Sequence, residues 1–212
     1  HLAVAFDPAG PTFRHEAFEQ YKAQRQETPE DIRWAVPRIK QLLEAMNIPL
    51  LQVDGYEADD VIGTLAHQAE KEGFEVYMAT PDKDYGQLVT DRVKIYKQKG
   101  EGIEIVDREA IKEHYGFDDP ILVRDVLALW GDASDNIPGV QGIGEKGAIK
   151  LVNQFGTVEQ ILEHTDELTP KQRANVEAGA EQLRLSKRLA SIVLDVPIEF
   201  DAEALRVEQP DV

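Results

Sequence analysis

Short apolar runs alternate with longer helical spacings through the first half of the chain, and only the helical spacings persist in the second. Residues 2–6 form one such run, closed by Asp7-Pro8, and read as a buried strand that delivers Asp7 at its carboxyl end. Residues 49–53 repeat the pattern, and Gly55-Tyr56-Glu57-Ala58-Asp59-Asp60 leads from them into a helix through about residue 72. A third strand, over 74–80, ends on Asp82-Lys83-Asp84. Residues 93–97 and 103–106 flank the turn Lys99-Gly100-Glu101-Gly102 and read as an edge hairpin. Strand, carboxylates at its end, then helix is how an open parallel α/β sheet assembles a site along one edge.

The helical stretches have local signals of their own. Thr28 reads as a cap with Pro29 at the first helical position, and the apolar spacing continues to Met46, with Pro37 predicted to kink the helix. Asp107 caps a helix to Tyr115, and residues 120–130, 145–155, 158–163 and 170–192 are helical. Residues 9–27 are irregular, and residues 195–212 are acidic, contain proline and lack a period, so they read as a tail or linker. The pattern therefore predicts an α/β fold: a mostly parallel central sheet flanked by helices over 1–115, a helical subdomain over 116–194, and the tail.

Composition narrows the setting. With 42% apolar residues in 212, the chain can bury a proper core, and the absence of cysteine excludes disulfides and thiolate metal sites and fits a cytoplasmic protein. The longest apolar stretch, 121–130, is interrupted by Arg124 and Asp125, so no membrane span is expected. The five histidines show no metal-ligand spacing. A net charge of −17 argues against a nucleic-acid partner unless many carboxylates are gathered around divalent ions, leaving phosphate contacts to local basic patches.

The chemistry concentrates in GDASDNIPGVQGIGEKGA, residues 131–148. Asp132 and Asp135 are three apart and can share a helical face, which makes half of a cation site. Gly139, Gly142 and Gly144 permit a tight hairpin whose amides, with those of the next helix start, face a phosphate oxygen, and Lys146 adds a cation. Gly142, Gly144 and Gly147 also fit GxGxxG, but neither the preceding apolar strand nor the later acidic strand end of a dinucleotide site is present. Arg14, Lys22 and Arg25, interleaved with Phe13, Phe18 and Tyr21, suit phosphates and stacked bases, and equally suit a plain surface helix.

Phe6-Asp7, FRHE at 13–16, YKAQR at 21–25, GYEADD at 55–60, TPDKD at 80–84 and the 131–146 segment occur in one order. On these motifs the chain resembles the 5′ nuclease domain of bacterial DNA polymerase I, and structure-specific 5′ nucleases and flap endonucleases more widely. The resemblance implies that Asp7, Glu57, Asp59, Asp60, Asp82, Asp84, Asp132 and Asp135 are metal-binding carboxylates. Asp7, Glu57, Asp82 and Asp132 would form the catalytic set with Lys22 and Arg25. It places Arg14, Tyr21, Lys22 and Arg25 at the 5′ strand, in an arch-like segment over about 9–27. Residues 136–155 resemble a helix-hairpin-helix motif in which Gly139, Gly142, Gly144 and Lys146 hold a duplex backbone without reading bases, with a monovalent cation such as K⁺.

The implied reaction is hydrolysis of DNA at 5′ ends, nicks and 5′ flaps with two Mg²⁺ about 3.5–4 Å apart, Mn²⁺ substituting, as in primer removal and repair. The resemblance also implies a monomer with a polymerase region covalently attached. Two departures follow. The family has an earlier strand with one more metal-binding Asp, so the sequence is expected to begin inside the domain, and Gly147 stands where Thr is usual. The missing Asp supports the alternative of a catalytically silent DNA-binding relative.

Overall fold

Residues 1–210 are described by the computed structural model, and they fold as two units, each with its own ladder of strands. The first unit comprises His1–Glu19, Gln24–Gly73 and the chain from Val193 onward; the second comprises Gln20–Ala23 and Phe74–Ile192. Residues 211–212 of the expected tail lie outside the described residues.

In the first unit, β1 (Val4–Ala5) pairs in parallel with β2 (Leu50–Leu51), and α1 (Phe13–Ala17) and α2 (Glu30–Ala45) intervene as a parallel connection requires. α1 was not legible as a helix: Thr12 opens it, donating its N–H to His15 Nδ1 at 3.1 Å. α2 starts one residue later than expected, with Pro29 at the cap position and no side-chain capping bond, so Thr28 is not its cap. The helix runs on through Pro37, which has no N–H to offer Arg33. α3 (Ala58–Lys71) supplies Val61 and Leu65, one turn apart on one face, to a core completed by Val196.

Val196 belongs to the stretch read as a tail or linker, and that stretch is packed instead. Val193, Val196, Ile198 and Phe200 all join this core. Gln68 donates to the Ile198 carbonyl at 3.0 Å and accepts from the Phe200 N–H at 2.7 Å, while Leu2 N–H donates to the Leu205 carbonyl at 2.9 Å. Burying a side chain such as Val196, which is 3% exposed, contributes about 1.5–3 kcal/mol.

In the second unit the order is β3 (Val76–Ala79), β4 (Val93–Lys99), β5 (Gly102–Val106). β3 and β4 are parallel, and β4 and β5 form the expected antiparallel hairpin, turned by Gly100 at φ 60°. The parallel pairing predicted for a central sheet is thus distributed over two ladders. Between β3 and β4 the chain makes a 3₁₀ turn, Lys83–Leu88, rather than a helix. α4 (Arg108–Tyr115) is capped as expected by Asp107, whose carboxylate accepts from Ala110 N–H at 3.0 Å.

The helical half follows. A 3₁₀ turn at Pro120–Leu122 precedes α5 (Val123–Trp130), and α6 (Glu145–Phe155), α7 (Val158–Glu163), α8 (Pro170–Ala178) and α9 (Ala180–Ala190) complete it, Gly179 breaking what reads in sequence as one long helix. α5 is the centre, packed against α6 and α9, with Val123, Val126, Leu127 and Leu129 buried. Buried Asp125 ties three helices together, accepting from Val158 N–H at 2.8 Å and pairing with Lys187 at 2.8 Å.

Candidate functional site

The acids of the first unit gather at one helix start. Glu57 sits at the N-cap of α3, and Asp59 and Asp60 occupy its first turn. Asp7, at the exit of β1, accepts from the Ala58 N–H at 2.8 Å. Unpaired amides and the helix dipole favour negative charge there, which is the local reason for the cluster.

Arg14 complicates the expected ligand set. It is 1% exposed, and its guanidinium forks onto Asp60, with Nη1 to Oδ2 at 2.6 Å and Nη2 to Oδ1 at 2.8 Å. Glu57 is 3.6 Å from Nη1. Asp60 Oδ1 also accepts from Val193 N–H at 3.0 Å and Oδ2 from Glu57 N–H at 3.1 Å. Two donors on each oxygen fill the acceptor capacity of a carboxylate that is wholly buried. Here Asp60 and Arg14, expected at an ion and at the 5′ strand, are engaged with each other inside the protein. Burial alone would pull Arg14 toward its neutral form, but the hydrogen bonds to Asp60 and the charges of Asp59, Asp60 and Glu57 outweigh it and hold the guanidinium charged.

The second unit builds its cluster from a 3₁₀ turn and a loop. Asp82 caps the turn, accepting from Asp84 N–H at 3.0 Å. Asp132 opens the loop after α5, which is closed by paired backbone bonds between Asp132 and Ile137. Its Oδ1 accepts from Ser134 N–H at 2.7 Å and Ser134 Oγ at 2.5 Å. Lys83, which the sequence reading passed over, donates to Asp132 Oδ2 and lies 3.2 Å from Asp84 Oδ1. The available signal was its position between two acids in TPDKD.

Charge follows geometry. Burial opposes the Asp132 carboxylate, but hydrogen bonds from Lys83 and Ser134 outweigh it and lower its pKa. Asp84 goes the other way: burial, then the charge of Asp82, raise it to about 6 against the opposing pull of Lys83. Asp84 Oδ1 is buried, within ion-pair range of Lys83 yet without a hydrogen bond of proper geometry. Asp84 and Asp132 thus present carboxylate oxygens, the ligand type that hard divalent cations take, to one shared cation, Lys83.

Tyr21 is buried, and its hydroxyl donates to Asp135 Oδ2 at 2.9 Å. Lys22, at φ 56°, donates its N–H to the Asp135 carbonyl at 2.9 Å and holds Nζ 3.7 Å from Asp135 Oδ2. Arg25 is exposed and belongs to the first unit. Among the described residues no group of three or more Asp, Glu or His side chains is drawn together closely enough to hold an ion. Arg14 and Lys83 stand between the carboxylates instead.

The glycine segment divides its tasks. Gly139 serves close packing, since a Cβ there would lie 2.2 Å from the Trp130 carbonyl oxygen, and Val140 N–H donates back to Leu129 at 2.8 Å. Gly142 supplies the φ of 78° that the turn requires. Gly144 caps α6 with no side chain to bond, so the first-turn amides of α6 are left for an external acceptor, next to exposed Lys146. A Cβ at Gly147 would meet only Ile143 Cγ2 at 3.5 Å, an ordinary contact, so a threonine's β-carbon would be accommodated there.

Comparison with known proteins agrees along the whole chain. Residues 1–116 match the family described as 5′-3′ exonuclease, N-terminal resolvase-like domain, and residues 119–212 match 5′-3′ exonuclease, C-terminal SAM fold. DNA polymerase I of Bacillus subtilis is 45% identical over 211 residues, 98% of this chain and 24% of that protein. The thermostable DNA polymerase I of Thermus aquaticus is 43% identical over 210 residues, 99% of this chain and 24% of that protein. The chain thus spans about a quarter of the length of these relatives. T5 5′-exonuclease with bound zinc superposes with a TM-score of 0.72 at 25% identity, over 90% of this chain and 74% of that one. The Rad2 catalytic core in complex with DNA substrate shares the fold at a TM-score of 0.58 and 16% identity, over 98% of this chain and 68% of that one. The chain belongs to the 5′-3′ exonuclease family.

Proposed function

We propose that the chain is the nuclease portion of a longer polymerase protein, and that it hydrolyses DNA phosphodiesters at 5′ ends, nicks and 5′ flaps using Mg²⁺, with Mn²⁺ as a substitute. The observation that carries this reading is the Asp84–Asp132 pair, two carboxylates distant in sequence brought to one cation. The T5 relative binds divalent zinc, and the polymerase relatives act on DNA by name, which supports metal and substrate alike.

Asp82, Asp84, Asp132 and Asp135 in the second unit, and Asp7, Glu57 and Asp59 in the first, are the residues that would hold two ions. Bound divalent ions supply an activated water and stabilise the charge that builds on phosphoryl oxygens. Asp60 contributes indirectly, by fixing Arg14 and through it the start of α3. Lys22 and Arg25 neutralise the scissile phosphate, the Lys22 ammonium lying 3.7 Å from Asp135 Oδ2 beside the metal carboxylates. The α6 start and Lys146 grip the duplex backbone, with a monovalent cation such as K⁺, and read no base. We place the protein in the cytoplasm as a monomer; no helix among the described residues is long and apolar enough to cross a membrane.

The test is a 5′-labelled flap duplex incubated with Mg²⁺ or with chelator, with Asp82→Asn/Asp132→Asn as the paired control. Cleavage by the parent in Mg²⁺ alone, and its loss in the double variant, is the expected result. Binding without cleavage in every arm replaces the enzyme with the silent DNA-binding relative.

A further inference from the structure

Lys83 stands where a cation belongs. Its ammonium bonds Asp132 Oδ2 and lies 3.2 Å from Asp84 Oδ1, spanning two carboxylates that are 48 positions apart in sequence (132 − 84). The acceptors are the fixed members: their side chains are 6% and 15% exposed, whereas that of Lys83 is 41% exposed. Ser134 holds Asp132 from its other oxygen. Asp84 Oδ1 gains charge neutralisation from Lys83 but no hydrogen bond, so one ammonium serves both acids and satisfies only one. The lysine also has somewhere to go, because its Nζ already lies 6.0 Å from the half-exposed ring of Trp130, at the outer edge of a cation–π contact.

We infer that Lys83 is a built-in place-holder for the divalent ion: it neutralises the Asp84–Asp132 pair until an ion arrives, must swing away for that ion to bind, and thereby sets the affinity of this seat. The inference rests on the reading that these two carboxylates hold metal. It makes Lys83 a positioning residue with an unusual sign, since removing it should strengthen metal binding. An ion that binds the pair has to break a charge-assisted hydrogen bond first, and a neutral side chain of similar length asks for nothing of the kind.

The experiment titrates Mn²⁺ alone, without DNA, into the chain and into Lys83→Met, Lys83→Arg, Asp84→Asn and Asp132→Asn at constant ionic strength. Bound ion is read by electron paramagnetic resonance, and folding by circular dichroism. The expected result is affinity tightened about tenfold in Lys83→Met, the order of effect of one charge-assisted bond, with Lys83→Arg near the parent. The rise in melting temperature on adding Mn²⁺ should be larger in Lys83→Met than in the parent. A Lys83→Met protein that folds and binds Mn²⁺ no better than the parent overturns the inference, provided Asp84→Asn and Asp132→Asn bind it less well. If those two variants bind Mn²⁺ as the parent does, the metal reading of the pair has failed and the inference falls with it.

Discussion

Asp84→Asn should stabilise the protein in chelator, by an amount that depends on pH. In the folded chain the Asp84 carboxyl is raised from 3.8 to about 6, first by burial and then by the charge of Asp82, with Lys83 already pulling against both. The sign follows from linkage. The folded state holds this proton more tightly than the unfolded state, so below the unfolded value both forms are protonated and nothing is lost. As pH rises from about 4 through 6 the folded state must carry a charge it disfavours, and stability falls. Above 6 the full cost is present, about 3 kcal/mol for a shift of roughly two pH units at about 1.4 kcal/mol each. Asparagine keeps the shape and removes the charge. Urea unfolding in chelator at fixed ionic strength should therefore show Asp84→Asn close to the parent at pH 4 and more stable than it by about 2–3 kcal/mol at pH 8. With saturating Mg²⁺ the order should reverse, because an ion bound only to the folded state stabilises the parent. A difference between the two proteins that stays flat from pH 4 to pH 8 would refute the buried, cation-seeking carboxylate.

Four further outcomes are expected. Arg14→Leu should cost about 3–5 kcal/mol in urea unfolding, because it strands buried Asp60, and the loss should not depend on DNA. Gly147→Ala should add about 0.5–1 kcal/mol, since a Cβ there meets only Ile143 at 3.5 Å; a loss of stability would show that the start of α6 needs glycine. Lys146→Ala should weaken binding to every duplex sequence alike and reduce the salt slope by about one unit, and an unchanged slope would remove this lysine from the DNA. Lys22→Ala and Arg25→Ala should slow single-turnover cleavage more than they weaken binding, and parent rates at saturation would assign both to the protein surface alone.

What could be read from the sequence was what has a local cause. Carboxylates at strand exits and helix starts announce themselves within a few residues, and Asp7, Glu57, Asp82 and Asp107 stand where that reading put them. The packed carboxyl-terminal stretch was missed although Val196, Ile198 and Phe200 alternate as a half-buried strand would, because Pro197 and the flanking acids mask so short a pattern. Gly139 was legible as a turn residue but not as the point where two backbones touch. The larger miss concerns partners: Arg14 finds Asp60 across 46 positions and Lys83 finds Asp132 across 49, and no periodicity records such a pairing.

Those two pairings change how the charge of the molecule should be read. A chain of net charge −17 would be expected to turn its basic residues outward to meet DNA. Here Arg14 is buried and Lys83 and Lys22 lie against the protein's own acids. Fewer cations therefore remain for a phosphate backbone than composition implies. The donors that escape this accounting are amides, which carry no formal charge and do not enter the sum of charges. The first turn of α6, opened by a glycine without a capping side chain, presents such donors in a row. On the proposed reading, this gives an acidic chain a physical means of holding a duplex at a helix start, with Lys146 on the exposed side of that turn.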